Sequence, residues 1–164
     1  MRSQPAIEGR QFQVAFRWGK DMPDSANQQT SPSLTAGEYL DKAFAWSKEV
    51  QSTSKCVLEI PYGDDERQKL DVYLPEAAGP DPLPVLVFLH GGYWVIGHKD
   101  TLGFLAPPIT CGPAILVTAG YRMAPGAKYP EQVDDCRRAL KWVYENISRH
   151  GGNPDRIFVG GHSA

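Results

Sequence analysis

The hydrophobic positions change rhythm along the chain. Tyr39, Leu40, Ala43, Phe44 and Trp46 recur at close to helical spacing, and Thr35 with Glu38 makes a capping box just ahead of them. This predicts a helix over about 35–50. Cys56 to Ile60 and Lys69 to Leu74 read as strands, with Leu70, Val72 and Leu74 on one face. The charged turn chemistry of Tyr62 to Arg67 makes the pair an antiparallel hairpin. From Pro84 onward the apolar residues run continuously instead. Val85–Leu89, Ala114–Thr118 and Arg156–Gly160 have the pattern of strands buried on both faces. Between the second and third runs, Pro130 opens an amphipathic helix. Val133, Cys136, Leu140, Val143 and Ile147 share one of its faces, and Gly151 with Gly152 ends it. Residues 100–112 are a weaker helical stretch, cut by Pro107 and Pro108. Strands alternating with helices imply an α/β fold with a mostly parallel sheet and right-handed crossovers. Residues 1–33 lack periodicity and are expected to form an irregular arm; 34–164 are expected to belong to one domain.

Charge and cysteine usage narrow the function classes. The 164 residues carry 17 Lys+Arg against 19 Asp+Glu, which leaves no electrostatic pull toward nucleic acid or an anionic membrane. Three widely spaced cysteines, Cys56, Cys111 and Cys136, make no disulfide framework and no CxxC pair, which favours a reducing compartment. The N-terminal stretch has no apolar segment of signal-peptide type, and no apolar run is long enough to span a bilayer, so a cytoplasmic location is expected. No metal site is expected. Asn146-Ile147-Ser148 fits a glycosylation sequon and is read as helix surface.

Two motifs carry chemistry, and each follows a strand. Gly161-His162-Ser163-Ala164 is four-fifths of G-x-S-x-G, the strained strand-to-helix turn that presents a nucleophilic serine. His90-Gly91-Gly92-Tyr93-Trp94 ends an earlier strand. Its glycines let backbone approach a substrate without side chains in the way. Ser163 is therefore the candidate nucleophile. Gly91, Gly92 and Tyr93, with the N–H of Ala164, are the candidate oxyanion donors. His90 is expected to order the loop by hydrogen bonding rather than act as a base, and Trp94 to line the loop or pocket. Parallel strands put their carboxyl ends on one sheet edge, so the two motifs are expected to meet there. Together they point to an α/β-hydrolase fold. Tyr121-Arg122-Met123-Ala124-Pro125 is similar to the Tyr-Arg-Leu-Ala-Pro segment of HGG-type esterases, and a structural ion pair is expected for Arg122.

The order of segments resembles the α/β-hydrolase type of kynurenine formamidase. It runs from Pro61-Tyr62-Gly63-Asp64 and Leu70-Asp71-Val72-Tyr73-Leu74-Pro75 through Phe88–Trp94 and Gly97-His98-Lys99-Asp100 to Gly161–Ala164. The likeness begins near Ser31-Pro32-Ser33. It implies hydrolysis of N-formyl-L-kynurenine to kynurenine and formate, with no cofactor, in the cytosol, on a small-molecule substrate. It is also compatible with a homodimer. Carried over, Ser163 is the nucleophile, Gly91, Gly92 and Tyr93 form the oxyanion loop, and Tyr93 with Trp94 narrow the acyl side to formyl. In this fold the acid and histidine of the triad come after the serine. His90, His98, His150 and His162 all precede Ser163, and the chain ends at Ala164. The chain is thus expected to be the N-terminal part of an enzyme, cut after the nucleophile strand and inactive alone. The alternatives are an HGG-type carboxylesterase of short-chain esters and a non-catalytic remnant that binds without turnover.

Overall fold

The computed structural model describes residues 34–77 and 79–163; the expected arm at 1–33 and Ala164 lie outside them. Helix α1 spans Ala36–Thr53. Its N-terminus is the expected capping box, in which Thr35 Oγ1 accepts from Glu38 N while the Glu38 carboxylate accepts from Thr35 N. Its buried face differs from the expected one: Ala43 and Ser47 are buried, whereas Tyr39, Phe44 and Trp46 are exposed. Small residues win that face because α1 packs tightly on the turn at Gly103. A Cβ on Gly103 would lie 2.6 Å from the Tyr73 hydroxyl and 3.1 Å from Ser47 Cβ.

Strands β1 (Cys56–Pro61) and β2 (Lys69–Tyr73) form the expected hairpin. Then come β3 (Leu83–Leu89), two 3-10 turns at Lys99–Thr101 and Gly103–Leu105, and the short α2 (Ala106–Thr110). Pro107 and Pro108 do not cut this helix. They sit in its first turn, where a missing N–H costs nothing. β4 (Ile115–Ala119), α3 (Glu131–Asn146) and β5 (Gly152–Gly161) complete the described fold. Pro130 is the residue before α3 rather than inside it, and Gly151 takes a left-handed φ of 80° at the turn into β5.

The sheet order is β1-β2-β4-β3-β5, antiparallel through β1, β2 and β4, parallel for β4-β3 and β3-β5. One face packs Leu70, Val72, Val85, Val87, Ile115 and Val117 against Ala139 and Val143 of α3 and against Ile147 of the 3-10 turn Ile147–His150 that follows it. The other packs Tyr73 and Leu116 against Ala106 of α2, with Val50 of α1 alongside. Only central β4 is buried throughout, as its apolar run predicts. Among the described residues β5 pairs on one side alone, so Arg156–Gly160 lacks the expected burial on both faces, and Phe158 and Val159 are exposed along the apolar edge. The stripe of α3 also shifts from the expected one. Val133 is exposed, while Gln132 and Asp135 turn inward. The reason is polar: Asp135 meets Arg122 and Gln68 on its inner side.

Ile147 is fully buried and closes on Gly152, where an added Cβ would lie 2.5 Å from Ile147 Cγ1. Ile147→Ala is expected to cost about 2–5 kcal/mol in urea unfolding, with the slope unchanged.

Candidate active site

Parallel pairing sets Leu89 of β3 level with Gly161 of β5, and His162 N donates to the Leu89 carbonyl at 3.2 Å. Both strands therefore deliver their next residues to the same edge of the sheet. On the β5 side, Ser163 turns with a φ of 60°, in the left-handed region that a non-glycine residue enters only under strain. On the β3 side, Gly91 lies against that turn. A Cβ on Gly91 would fall on the His162 carbonyl oxygen and within 2.8 Å of Ser163 Cβ, so only glycine permits this approach. The two motifs meet.

Beyond Gly91 the loop folds on itself. Gly92 has a φ of 126°, and Tyr93 and Trp94 have φ values of 54° and 59°. Val95 N and Ile96 N donate to the Gly92 carbonyl at 3.1 and 2.9 Å. Ala124 N donates to the Trp94 carbonyl at 2.7 Å, which ties the loop to the segment after β4. His90 opens the loop at 5% exposure. Its ring stacks on Tyr121 at 4.3 Å between centroids, and Tyr121 Oη donates to the His90 carbonyl at 2.7 Å. Its Nδ1 lies 2.9 Å from the Gly91 carbonyl, which only accepts, so Nδ1 carries the proton. Nε2 is then a buried acceptor without a hydrogen-bond partner among the described residues. Burial pushes the His90 pKa below the ordinary histidine value and holds the ring neutral. The stack and the hydrogen bonds thus engage His90 with its own loop and with Tyr121.

A cleft of about 330 Å³ opens beside the meeting point, lined by His90, Trp94, Tyr121, Gln132, Cys136 and Ser163 among others. It brings three sequence candidates together: Ser163, His90 and Trp94. Tyr93 is not among its lining residues; its side chain stands 80% exposed in solvent. Ala164 lies outside the described residues. Sequence reasoning gave no site role to Tyr121, Gln132 or Cys136. Tyr121 was findable, since it sits just past the carboxyl end of β4, on the same edge as both motifs. Gln132 and Cys136 lie one turn apart on the first half of α3. Burial pushes the Cys136 thiol up to about 11, so it lines the cleft as a neutral group.

Two buried ion clusters flank the loop. Arg122 has its expected structural partner: Nε and Nη2 donate to Asp135 at 2.8 and 2.9 Å, and Arg122 N donates to the same carboxylate at 3.1 Å. Gln68 Nε2 adds a further donor to Asp135 at 2.7 Å. Burial opposes the Asp135 charge, but these donors outweigh it and hold the carboxyl below the usual range. The second cluster has no separate signal in the sequence. Lys99, 2% exposed, reaches Asp71 at 2.9 and 3.0 Å and Asp100 at 2.7 Å, and also bonds Glu59. Those three carboxylates lie close enough to hold a metal ion, but the ammonium of Lys99 fills the space between them. Burial works against that ammonium, and its hydrogen bonds to Asp100, Glu59 and Asp71 more than compensate, raising its pKa.

His90 makes stability depend on pH. Unfolded, its pKa is about 6.5; folded, it is lower, so the unfolded chain binds more protons as pH falls. The stabilisation is complete above the unfolded value and declines below it. His150, lowered mainly by burial, adds in the same direction. Urea midpoints are expected to fall between about pH 7.5 and pH 5.5, and to fall less in His90→Gln. Equal falls in both proteins would refute the assignment.

Comparison with known proteins adds to this geometry. A profile of the alpha/beta hydrolase fold matches residues 86–164, from β3 to the serine turn. The chain is 36% identical to kynurenine formamidase of Danio rerio over 138 residues, covering 82% of this chain and 45% of that protein. It is 46% identical to carboxylesterase NlhH of Mycobacterium tuberculosis over 94 residues, 57% of this chain and 29% of the other. An esterase structure from Pyrobaculum calidifontis superposes with a TM-score of 0.60 at 26% identity, covering 78% of this chain and 42% of that one. The chain spans about half the length of the kynurenine formamidases it matches. A glycine loop and a strained serine turn, set level on one parallel sheet edge and joined to similarity with formamidases and esterases, identify the fold of this chain as the α/β-hydrolase fold.

Proposed function

We propose that these residues carry the nucleophile and oxyanion loop of a serine hydrolase that cleaves aryl formamides, with N-formyl-L-kynurenine as the substrate. The observation that carries the reading is the close approach of Gly91 to a Ser163 held at positive φ. The kinship with kynurenine formamidases over most of the chain supports the substrate class. Ser163 Oγ attacks the formyl carbonyl and gives its proton to a base. Backbone N–H groups of the Gly91–Tyr93 loop, with that of Ala164, hold the oxyanion. The aromatic amine leaves with the proton, and water releases formate from the formyl-serine.

All four histidines of the sequence, His90, His98, His150 and His162, are described, and of them His90 alone lines the cleft. His90 is committed to its own loop. The histidine that faces a carboxylate is His98, with Nδ1 3.4 Å from Asp100, and neither residue lines the cleft. Trp94 lines the cleft, so the proposed narrowing of the acyl side to formyl rests on Trp94 and not on Tyr93. A second reading, a carboxylesterase of short-chain esters, is favoured by the higher identity to the mycobacterial carboxylesterase, 46% against 36% for the formamidase, over a shorter stretch. The ratio of kcat/KM on an aryl formamide to that on the matching aryl ester separates the two.

In a form of the protein that supplies the base, hydrolysis of N-formyl-L-kynurenine is expected to drop by about 10³-fold or more in Ser163→Ala. Identical background rates in both would instead favour a non-catalytic binding role. Trp94→Gly is expected to raise butyryl-ester turnover relative to formyl-ester turnover; an unchanged ratio would remove Trp94 from acyl selection.

A further inference from the structure

The loop from His90 to His98 is secured at its entry by the His90–Tyr121 stack and at its exit by Lys99. Two residues before Lys99, Gly97 lies against the start of the same loop. A Cβ on Gly97 would fall on the Gly91 carbonyl oxygen and lie 2.6 Å from His90 Nδ1. Gly91 is thus confined between Gly97 on one side and the His162–Ser163 turn on the other. Arg67 adds one bond to the Gly97 carbonyl at 3.2 Å. The residue that holds the chain just beyond Gly97 is Lys99, whose ammonium ties Asp71 of β2, Glu59 of the β1 bulge and the adjacent Asp100 into one cluster. Asp71 also accepts from Glu59 N at 2.8 Å, so the cluster is continuous with the sheet.

We propose that Lys99 is a positioning residue: its buried ammonium anchors the exit of the glycine loop to β1 and β2 and thereby fixes Gly91 against Ser163. This rests on the proposed oxyanion role of the loop only for its consequence in catalysis; the anchoring itself does not. A flexible side chain with a point charge suits this task. Carboxylates from two neighbouring strands, Glu59 of β1 and the buried Asp71 of β2, converge on one atom beside the adjacent Asp100, and a shift of the loop exit against either strand breaks a charge-assisted bond. An apolar side chain would fill the space but would not select a register.

The test compares the protein with Lys99→Met and with Lys99→Met/Asp71→Asn, which removes the buried pair altogether, and uses Lys99→Arg as the conservative variant. Hydrogen exchange is read by peptide. Exchange over residues 91–97 is expected to quicken by about tenfold or more in both Met-bearing variants, while β3 and β4 keep their protection. Lys99→Arg is expected to restore part of the loop protection. On a p-nitrophenyl ester, kcat is expected to fall by about 10²-fold with KM little changed, the signature of misplaced oxyanion donors. Unchanged exchange over 91–97 in a folded variant would overturn the proposal. So would protection lost evenly across the sheet, or unfolding of both Met-bearing variants, since Lys99 would then be a global stabiliser. If the parent protein, in a form that supplies the base, hydrolyses no ester, the catalytic reading fails, and the exchange result still decides the anchoring.

Discussion

Parallel pairing carries Leu89 of β3 and Gly161 of β5 to the same level of the sheet, and the candidate site depends on that register. A slip of one residue would send every side chain of β5 to the opposite face and lift the serine turn away from Gly91. The core enforces the register. Val85 and Val87 of β3 face Ala139 and Val143 of α3 and Ile147 of the turn after it, and Ile147 closes on Gly152 at the start of β5. Packing at one end of the sheet thus sets the chemistry at the other. The strain at Ser163 and the bare backbone at Gly91 are local costs that this packing sustains.

Around that frame, the loops at the sheet edge are held by buried charge more than by apolar contact. Asp135 gathers the Arg122 side chain, the Arg122 backbone N–H and Gln68 at the start of α3. Lys99 gathers three carboxylates behind the glycine loop. Each buried ion would be costly alone and is matched by several charge-assisted hydrogen bonds. Such bonds are directional, so they can set a loop's position where side chains such as Tyr93 and Val95 have little to pack against. The cleft between these supports contains a neutral imidazole, a neutral thiol and a glutamine, with aromatic and aliphatic walls.

Much of the architecture was legible in the residues themselves. The capping box at Thr35 and Glu38, the hairpin and the succession of strands and helices along the chain agree with periodicity and turn chemistry. The errors share one cause, which is that periodicity reports polarity and not partners. On α3 it favoured Val133 over Asp135, because a carboxylate reads as exposed until Arg122 and Gln68 are seen to meet it. On α1 it favoured Tyr39, Phe44 and Trp46, because a large ring reads as buried until the neighbour proves close enough to admit only Ala43 and Ser47. Lys99 was hidden for the reason that hid Asp135, with carboxylates contributed from as far as 40 residues away along the chain.

The sequence by itself determined the two motifs and their setting: a serine in a glycine-flanked turn after one strand and a double glycine after another, on strands whose apolar runs demand a parallel sheet. These are local properties of short segments, and short segments carry them. Only the tertiary structure decided which residues share the cleft. Trp94 turns to it and Tyr93 to solvent, His90 spends its Nδ1 proton on its own loop, and Lys99 stands behind the whole assembly. Those outcomes depend on the register of β3 with β5 and on ion pairs between distant segments, and neither is written in any one stretch of the chain.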